Sequence, residues 1–176
     1  NTTDKVRKIS AFGYAEFTND SNYEQDQVNL QYTLFITRTY FKNNMIVQSI
    51  NENCGKNEEG SNWRERFFAM AGAPVTSYNG DKAAFLGNYH TYGNPVAVEN
   101  GACDNVLNYN SNGCGALHTA LTLQPGETKE IAFILGQTTP SAAAKIVNGY
   151  EDLAVIEQEK KELIDYWHAK LANFQV

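Results

Sequence analysis

The chain has little positive charge and nothing long and apolar. Its 14 Lys and Arg stand against 20 Asp and Glu, a formal net charge of −6, and the cations form no stripe. Nucleic-acid binding rests on clustered positive charge, so that class of partner is excluded. No apolar run approaches the roughly 20 residues of a membrane-spanning helix, and no membrane partner is expected. The chain opens on Asn1-Thr2-Thr3-Asp4 without Met or a signal-like segment, and it reads as a piece of a longer, cytoplasmic protein. Cysteine is confined to Cys54, Cys103 and Cys114, an odd number without Cys-x-x-Cys spacing. That pattern favours reduced thiols, with a Cys103–Cys114 disulfide as the lesser alternative. The sequons at Asn1-Thr2-Thr3 and Asn19-Asp20-Ser21 are at chance level in so Asn-rich a chain. Catalytic signatures are missing too: no Gly-x-Ser-x-Gly, no His-Glu-x-x-His, no Walker loop. His90, His118 and His168 have no metal-ligand spacing, so no metal or cofactor is expected.

What is present is the pattern of a single folded domain. The length of 176 residues is enough for a sizeable core, and 42% apolar with 19% charged residues is ordinary for a globular chain. Lys5 to Phe17 mixes aromatic and β-branched residues and reads as a strand. Val28, Leu30, Tyr32, Leu34 and Ile36 alternate with Asn29, Gln31, Thr33, Phe35 and Thr37, the period of a half-buried antiparallel strand. Lys42-Asn43-Asn44 reads as a hairpin turn with Met45 to Ile50 returning, and Asn51 to Asn62 as a polar loop. Arg66 to Ala71 and Val75 to Tyr78 are short strands followed by a turn at Asn79-Gly80-Asp81. Leu117, Thr119, Leu121 and Leu123 alternate again; Gln124-Pro125-Gly126-Glu127 is a turn, and Lys129 to Leu135 closes a second hairpin. Several short strands between turn signals indicate an antiparallel β-sandwich.

After residue 137 the character changes to helix. Thr139 is an N-cap with Pro140 at the first helical position, opening a helix over Ser141 to Asn148. Farther on, Leu153, Ile156, Leu163, Trp167 and Leu171 share one helical stripe, and Glu157 and Lys161 stand four apart in the favourable order. Candidate binding chemistry lies mainly on the long strand. Asn29, Gln31 and Tyr32 present amides and a phenol, groups that read sugar hydroxyls while a ring packs on a pyranose. The plainer alternative is a solvated strand face. Arg64 and Arg66, bracketing Glu65, form a second candidate set, with surface salt bridges as the alternative. Glu16, between Ala15 and Phe17, reads as a buried or hydrogen-bonded acid, with a member of a glycosidase-type carboxylate pair as the alternative.

The run Phe85 to Gly101 fits neither a helical nor a strand period and reads as an ordered loop crossing a sheet edge. It contains Phe85-Leu86-Gly87, Tyr89, Tyr92, Asn94-Pro95 and Val98-Glu99. Gly101, Cys103, Asn105 and Cys114-Gly115-Ala116-Leu117 continue it, and Asp81-Lys82 precedes it. In these residues the chain resembles the N-terminal domain of glycoside hydrolase family 94, the cellobiose and cellodextrin phosphorylases. The departures are His118, where Gln is usual, Asp104-Asn105-Val106 in place of an Asn-Ser pair, and Tyr32, where some members carry Arg.

The resemblance implies a mainly β fold: an antiparallel supersandwich of galactose-mutarotase-like type over residues 1–137. Residues 138–176 would be a helical linker leading to an (α/α)6 catalytic barrel outside this sequence. It implies cleavage of a β-glucosidic bond by inorganic phosphate as co-substrate, giving α-glucose 1-phosphate and a shortened sugar with inversion. The expected partners are cellobiose or cellodextrin, phosphate and a second subunit, whose acceptor side the stretch Val28 to Tyr32 would reach in a homodimer. Catalytic groups would lie in the barrel, so none is assigned here. The competing readings are a stand-alone carbohydrate-binding sandwich and a purely structural dimerisation domain.

Overall fold

In the computed structural model, residues 1–17, 37–50 and 65–172 are described. The polar cluster after Phe17, the alternating strand through Ile36 and the Asn51–Asn62 loop lie outside the described residues. Among the described residues, seven strands form two antiparallel sheets. One holds β1 (Arg7–Glu16), β6 (Gly113–Leu123) and β5 (Ser77–Asp81) in the order β1-β6-β5. The other runs β2-β3-β4-β7, from β2 (Thr37–Lys42), β3 (Met45–Ile50), β4 (Glu65–Ala71) and β7 (Ala132–Thr138). Four helices complete the described chain: α1 (Lys82–Leu86), α2 (Val96–Glu99), α3 (Pro140–Gly149) and α4 (Ala154–Leu171).

Three cores stack through the molecule. Between the sheets, Ile46, Phe68, Met70 and Leu117 are buried with Phe41, Tyr78 and Val75 against them. The outer face of the four-stranded sheet buries Met45, Val47, Phe67 and Ala69 under Ala143 and Val147 of α3. The first helix after the strands is therefore part of the sandwich core, not a free linker beginning at residue 138. The outer face of the three-stranded sheet carries the third core: Cys114 and Ala116 of β6 beneath Phe85, Ala97 and Cys103. The Phe85–Gly101 run thus spreads over a sheet face, and it includes two short helices where the sequence reads as loop throughout. Its aromatics are cover: Phe85 stacks on Tyr14 at 4.8 Å between ring centroids.

The Asn43-Asn44 turn joins β2 to β3 with φ of 53° and 57°, the left-handed pair of a type I′ hairpin, as its composition predicts. Two other turn readings are corrected. Asn79-Gly80-Asp81 continues β5, with an irregularity between Asn79 and Asp81. Asn79 is fully buried, and its Oδ1 accepts from the backbone N–H of Asp104 and Val106 at 3.2 and 3.1 Å. Gly80 is needed because a Cβ there would stand 2.1 Å from Thr39 Oγ1. An Asn-Gly pair serves here to pass a strand closely beneath its neighbours. The second correction concerns Leu117 to Leu135. The turn at Gln124–Glu127 forms, with Glu127 N–H donating to Gln124 O at 3.0 Å and Gly126 at φ 75°. Yet β7 pairs with β4, not β6, so the segment crosses from one sheet to the other. On α4, Glu157 lies 3.5 Å from Lys160 and pairs with it in place of Lys161.

The sheets meet so closely that β6 has no room for another methyl at Gly115, where a Cβ would lie 2.6 Å from Phe68 Cβ. Phe68 is buried and cannot swing away. Gly115→Ala is expected to lower unfolding free energy by about 2 kcal/mol, the overpacking range. Urea titration followed by near-ultraviolet dichroism measures it, and an unchanged midpoint would contradict this packing.

Candidate functional site

Of the residues singled out from sequence, Asn29, Gln31, Tyr32 and Arg64 lie outside the described residues. Arg66 is buried in β4, opposite Gln48 and Gln137, rather than on the surface. The described residues concentrate their polar chemistry where β1 ends. Glu16 accepts from Tyr14 OH at 2.9 Å and from Tyr92 OH, and Lys82 Nζ lies 3.0 Å from its Oε1. Asp81 and Lys82, adjacent in sequence, work apart. Asp81 caps α1, accepting from Ala84 N–H at 2.9 Å, while Lys82 reaches back to β1. The Lys82 ammonium stands 5.2 Å from the Tyr92 ring centroid, and Tyr92 meets Tyr14 edge-on at 6.1 Å.

Behind this corner the loop is tied to itself. Asn94 Oδ1 accepts from Thr91 N–H at 3.1 Å and Thr91 OH at 2.8 Å, and His90 Nδ1 lies 2.8 Å from Asn94 O. Tyr89 takes a left-handed φ of 63° and is fully exposed. Sequence reasoning missed Tyr92 and His90. The available signal was the Asp81-Lys82 pair preceding an aromatic run, which gives no hint that its partner is Glu16.

The electrostatics decide what this corner can do. Partial burial pushes the Glu16 carboxyl up, but hydrogen bonds from Tyr92, Lys82 and Tyr14 and the Lys82 charge outweigh it and hold it below the usual range. An acid kept ionised is a poor proton donor, so Glu16 is no candidate general acid. Burial, then the Cys114 charge and the Glu16 hydrogen bond, push the Tyr14 hydroxyl up. Ser77 Oγ and His118 Nδ1 share a 2.8 Å hydrogen bond that resembles a nucleophile–base pair. Both are buried, Phe12 stacks on the imidazole at 4.6 Å, and Ser77 Oγ also accepts from Cys103 N–H at 2.9 Å. The pair is structural. Cys103 and Cys114 are free buried thiols; burial pushes Cys103 up to about 12, and Cys114 higher still, so neither is reactive. Among the described residues no cluster of His, Cys, Asp and Glu suits a metal ion, and no helix is long and apolar enough to cross a membrane.

Residues 1–153 match the family described as "Glycosyl hydrolase 94, supersandwich domain". The whole chain is 35% identical over 176 residues to the N,N'-diacetylchitobiose phosphorylase of Vibrio furnissii, covering 21% of that protein. It is 34% identical over 177 residues to the N,N'-diacetylchitobiose phosphorylase of Vibrio proteolyticus, again 21% of its length. Across 72% of the chain it is 29% identical to 16% of the solabiose phosphorylase of Paenibacillus borealis. The chain thus spans about a fifth of the two Vibrio relatives.

Two pH effects follow. Burial lowers the His118 pKa, so the unfolded chain binds its proton more readily. Stability should be full above the unfolded value near 6.5 and decline as pH falls below it. His118→Gln should flatten that decline in thermal melts between pH 7 and 5. Glu16 is depressed, so its contribution is present above the ordinary carboxyl range and lost as pH falls toward its folded pKa. Glu16→Gln at neutral pH should speed amide hydrogen exchange in residues 88–94 while leaving β6 unchanged; equal protection in both proteins would refute the tethering role.

Proposed function

Because the chain belongs to the glycosyl hydrolase 94 supersandwich family, we propose that it forms the sandwich portion of an inverting β-glycoside phosphorylase. The family match over residues 1–153, with similarity to phosphorylases along the entire chain, carries this reading. In such a reaction a phosphate oxygen bonds to the anomeric carbon from the face opposite the glycosidic oxygen. The glycosidic C–O bond breaks, and an acid delivers a proton to the departing oxygen. Phosphate brings its own charge as nucleophile, so no protein base is required. The products are an α-sugar 1-phosphate and the released sugar.

This chain's part in that reaction is architectural and acceptor-facing. The ionised state of Glu16 and the burial of the Ser77–His118 pair leave neither of these two sites suited to be the catalytic acid. In a homodimer, Asn29, Gln31, Tyr32 and Arg64 would meet the acceptor sugar at the partner subunit's site. Arg66, enclosed in β4, would brace its own sheet rather than touch the sugar. Sequence motifs lean to cellobiose or cellodextrin. Whole-chain similarity to two N,N'-diacetylchitobiose phosphorylases moves the preferred substrate to a β-linked N-acetylglucosamine disaccharide, with cellobiose as the competitor.

The longer protein encoded by the parent gene tests this. Incubated with phosphate and either disaccharide, it should release an α-sugar 1-phosphate detectable by phosphorus NMR. Tyr32→Ala should raise the acceptor KM in the synthetic direction more than it lowers kcat. Absence of any phosphate-dependent cleavage would overturn the reading, and sugar binding by this chain without cleavage would favour a stand-alone carbohydrate-binding module.

A further inference from the structure

Beside the Glu16 corner lies a cleft of about 280 Å³ whose lining includes Asp81, Lys82, Leu86, His90, Ser111 and Asn112. A water occupies about 30 Å³ of liquid, so the space suits one sugar ring rather than a chain. Two lining groups are already satisfied: Ser111 OH donates to Asp81 Oδ2 at 2.8 Å, and Asp81 Oδ1 caps α1. The other polar groups differ in kind. His90 places Nδ1 2.8 Å from the Asn94 carbonyl, which can only accept, so Nδ1 carries a proton, and in that neutral tautomer Nε2 is the acceptor. Asn112 is exposed at the rim, its side chain offering both a donor and an acceptor. Lys82 supplies N–H donors whose charge Glu16 neutralises.

The charge balance rules on ligand class. Lys82 cancels Glu16, while Asp81 in the lining and Glu99, 3.7 Å from His90 Nδ1, leave negative charge in excess, which disfavours phosphate or any carboxylate. Acceptor, donor and mixed groups around the small apolar side chain of Leu86 fit a neutral molecule with several hydroxyls. Tyr92 stands next to Lys82, its ring half-exposed and its hydroxyl held by Glu16. A ring fixed in this way holds the Lys82 ammonium in place at the edge of the cleft.

We propose that this cleft is a monosaccharide subsite on the sandwich surface, read by His90 Nε2, Asn112 and Lys82 and floored by Leu86, with Glu16 and Tyr92 as positioning residues. The idea rests on the reading of a sugar-processing protein but not on where its catalytic groups lie. It deepens that reading by placing a sugar contact on residues other than Asn29, Gln31, Tyr32 and Arg64.

The full 176-residue chain, labelled with nitrogen-15, should be titrated with cellobiose, with N,N'-diacetylchitobiose and with inorganic phosphate. At least one disaccharide should produce saturable shifts in the amides of residues 81–94 and 111–112, and phosphate should produce none there. Asn112→Ala, an exposed substitution, should weaken binding about fivefold, as loss of one hydrogen bond does. His90→Ala should do at least as much, and Tyr166→Ala on α4 should leave affinity unchanged. No saturable shift with either sugar, shifts confined to other surfaces, preferential phosphate binding, or full affinity in both the Asn112 and His90 variants would each overturn the subsite. Phosphorolysis by the longer protein without these shifts would sink the subsite alone. Shifts at the cleft without phosphorolysis would sink the enzymatic reading and leave the subsite standing.

Discussion

Burial of β6 on both faces is the constraint on which the rest of this structure depends. A strand in the middle of a two-layer sandwich needs one apolar face, yet Cys114 through Thr119 are all buried. Leu117 points into the space between the sheets with Ile46 and Met70. On the other face, Cys114 and Ala116 would meet water without the segment from α1 to Cys103. Small side chains on that outer face let the segment settle closely, and the polar groups of Ser77 and Asn79 then hold its backbone down. Each buried backbone N–H met in this way avoids the penalty of an unsatisfied donor. The cover is therefore as integral as any strand.

That arrangement explains which elements were legible in the sequence. The β2–β3 hairpin was, because Asn43-Asn44 can adopt left-handed φ and the flanking residues are β-formers. The helix over Pro140–Gly149 was legible for the same local reason, its Thr139 cap accepting from Ala142 N–H. Failures came where a local signal was spent on a distant contact. Asn79-Gly80 has turn composition, but Asn79 is consumed by the 104–106 backbone and Gly80 by the approach of Thr39. The turn after Leu123 was correct in itself and still misled, since nothing local says that the following strand will choose Phe67 and Phe68 of the other sheet as neighbours. The Phe85–Gly101 run has no period because it follows the contour of a sheet rather than an axis of its own.

The polar corner was less legible than the fold. Glu16 reads as a buried or hydrogen-bonded acid; it is hydrogen-bonded but exposed, and apart from Tyr14 its partners arrive from 66 and 76 residues away. No spacing rule connects such positions. What joins them is geometry: α1 starts directly after β5, so Lys82 emerges beside the end of β1, and the loop then returns Tyr92 to the same carboxylate. The aromatic and asparagine residues of this loop fit a rigid cover with a polar rim.

Helix α4 stands in a different relation to everything else. It runs for 18 residues without one buried side chain. Tyr150 OH reaches Glu159 at 2.6 Å near its beginning, and side-chain pairs such as Gln158 with Glu162 at 3.0 Å run along its own surface. A segment held mainly by local pairing shares little of the sandwich's cooperativity. By that measure α4 belongs to the low-stability end of the described residues, and the layered strands to the high end.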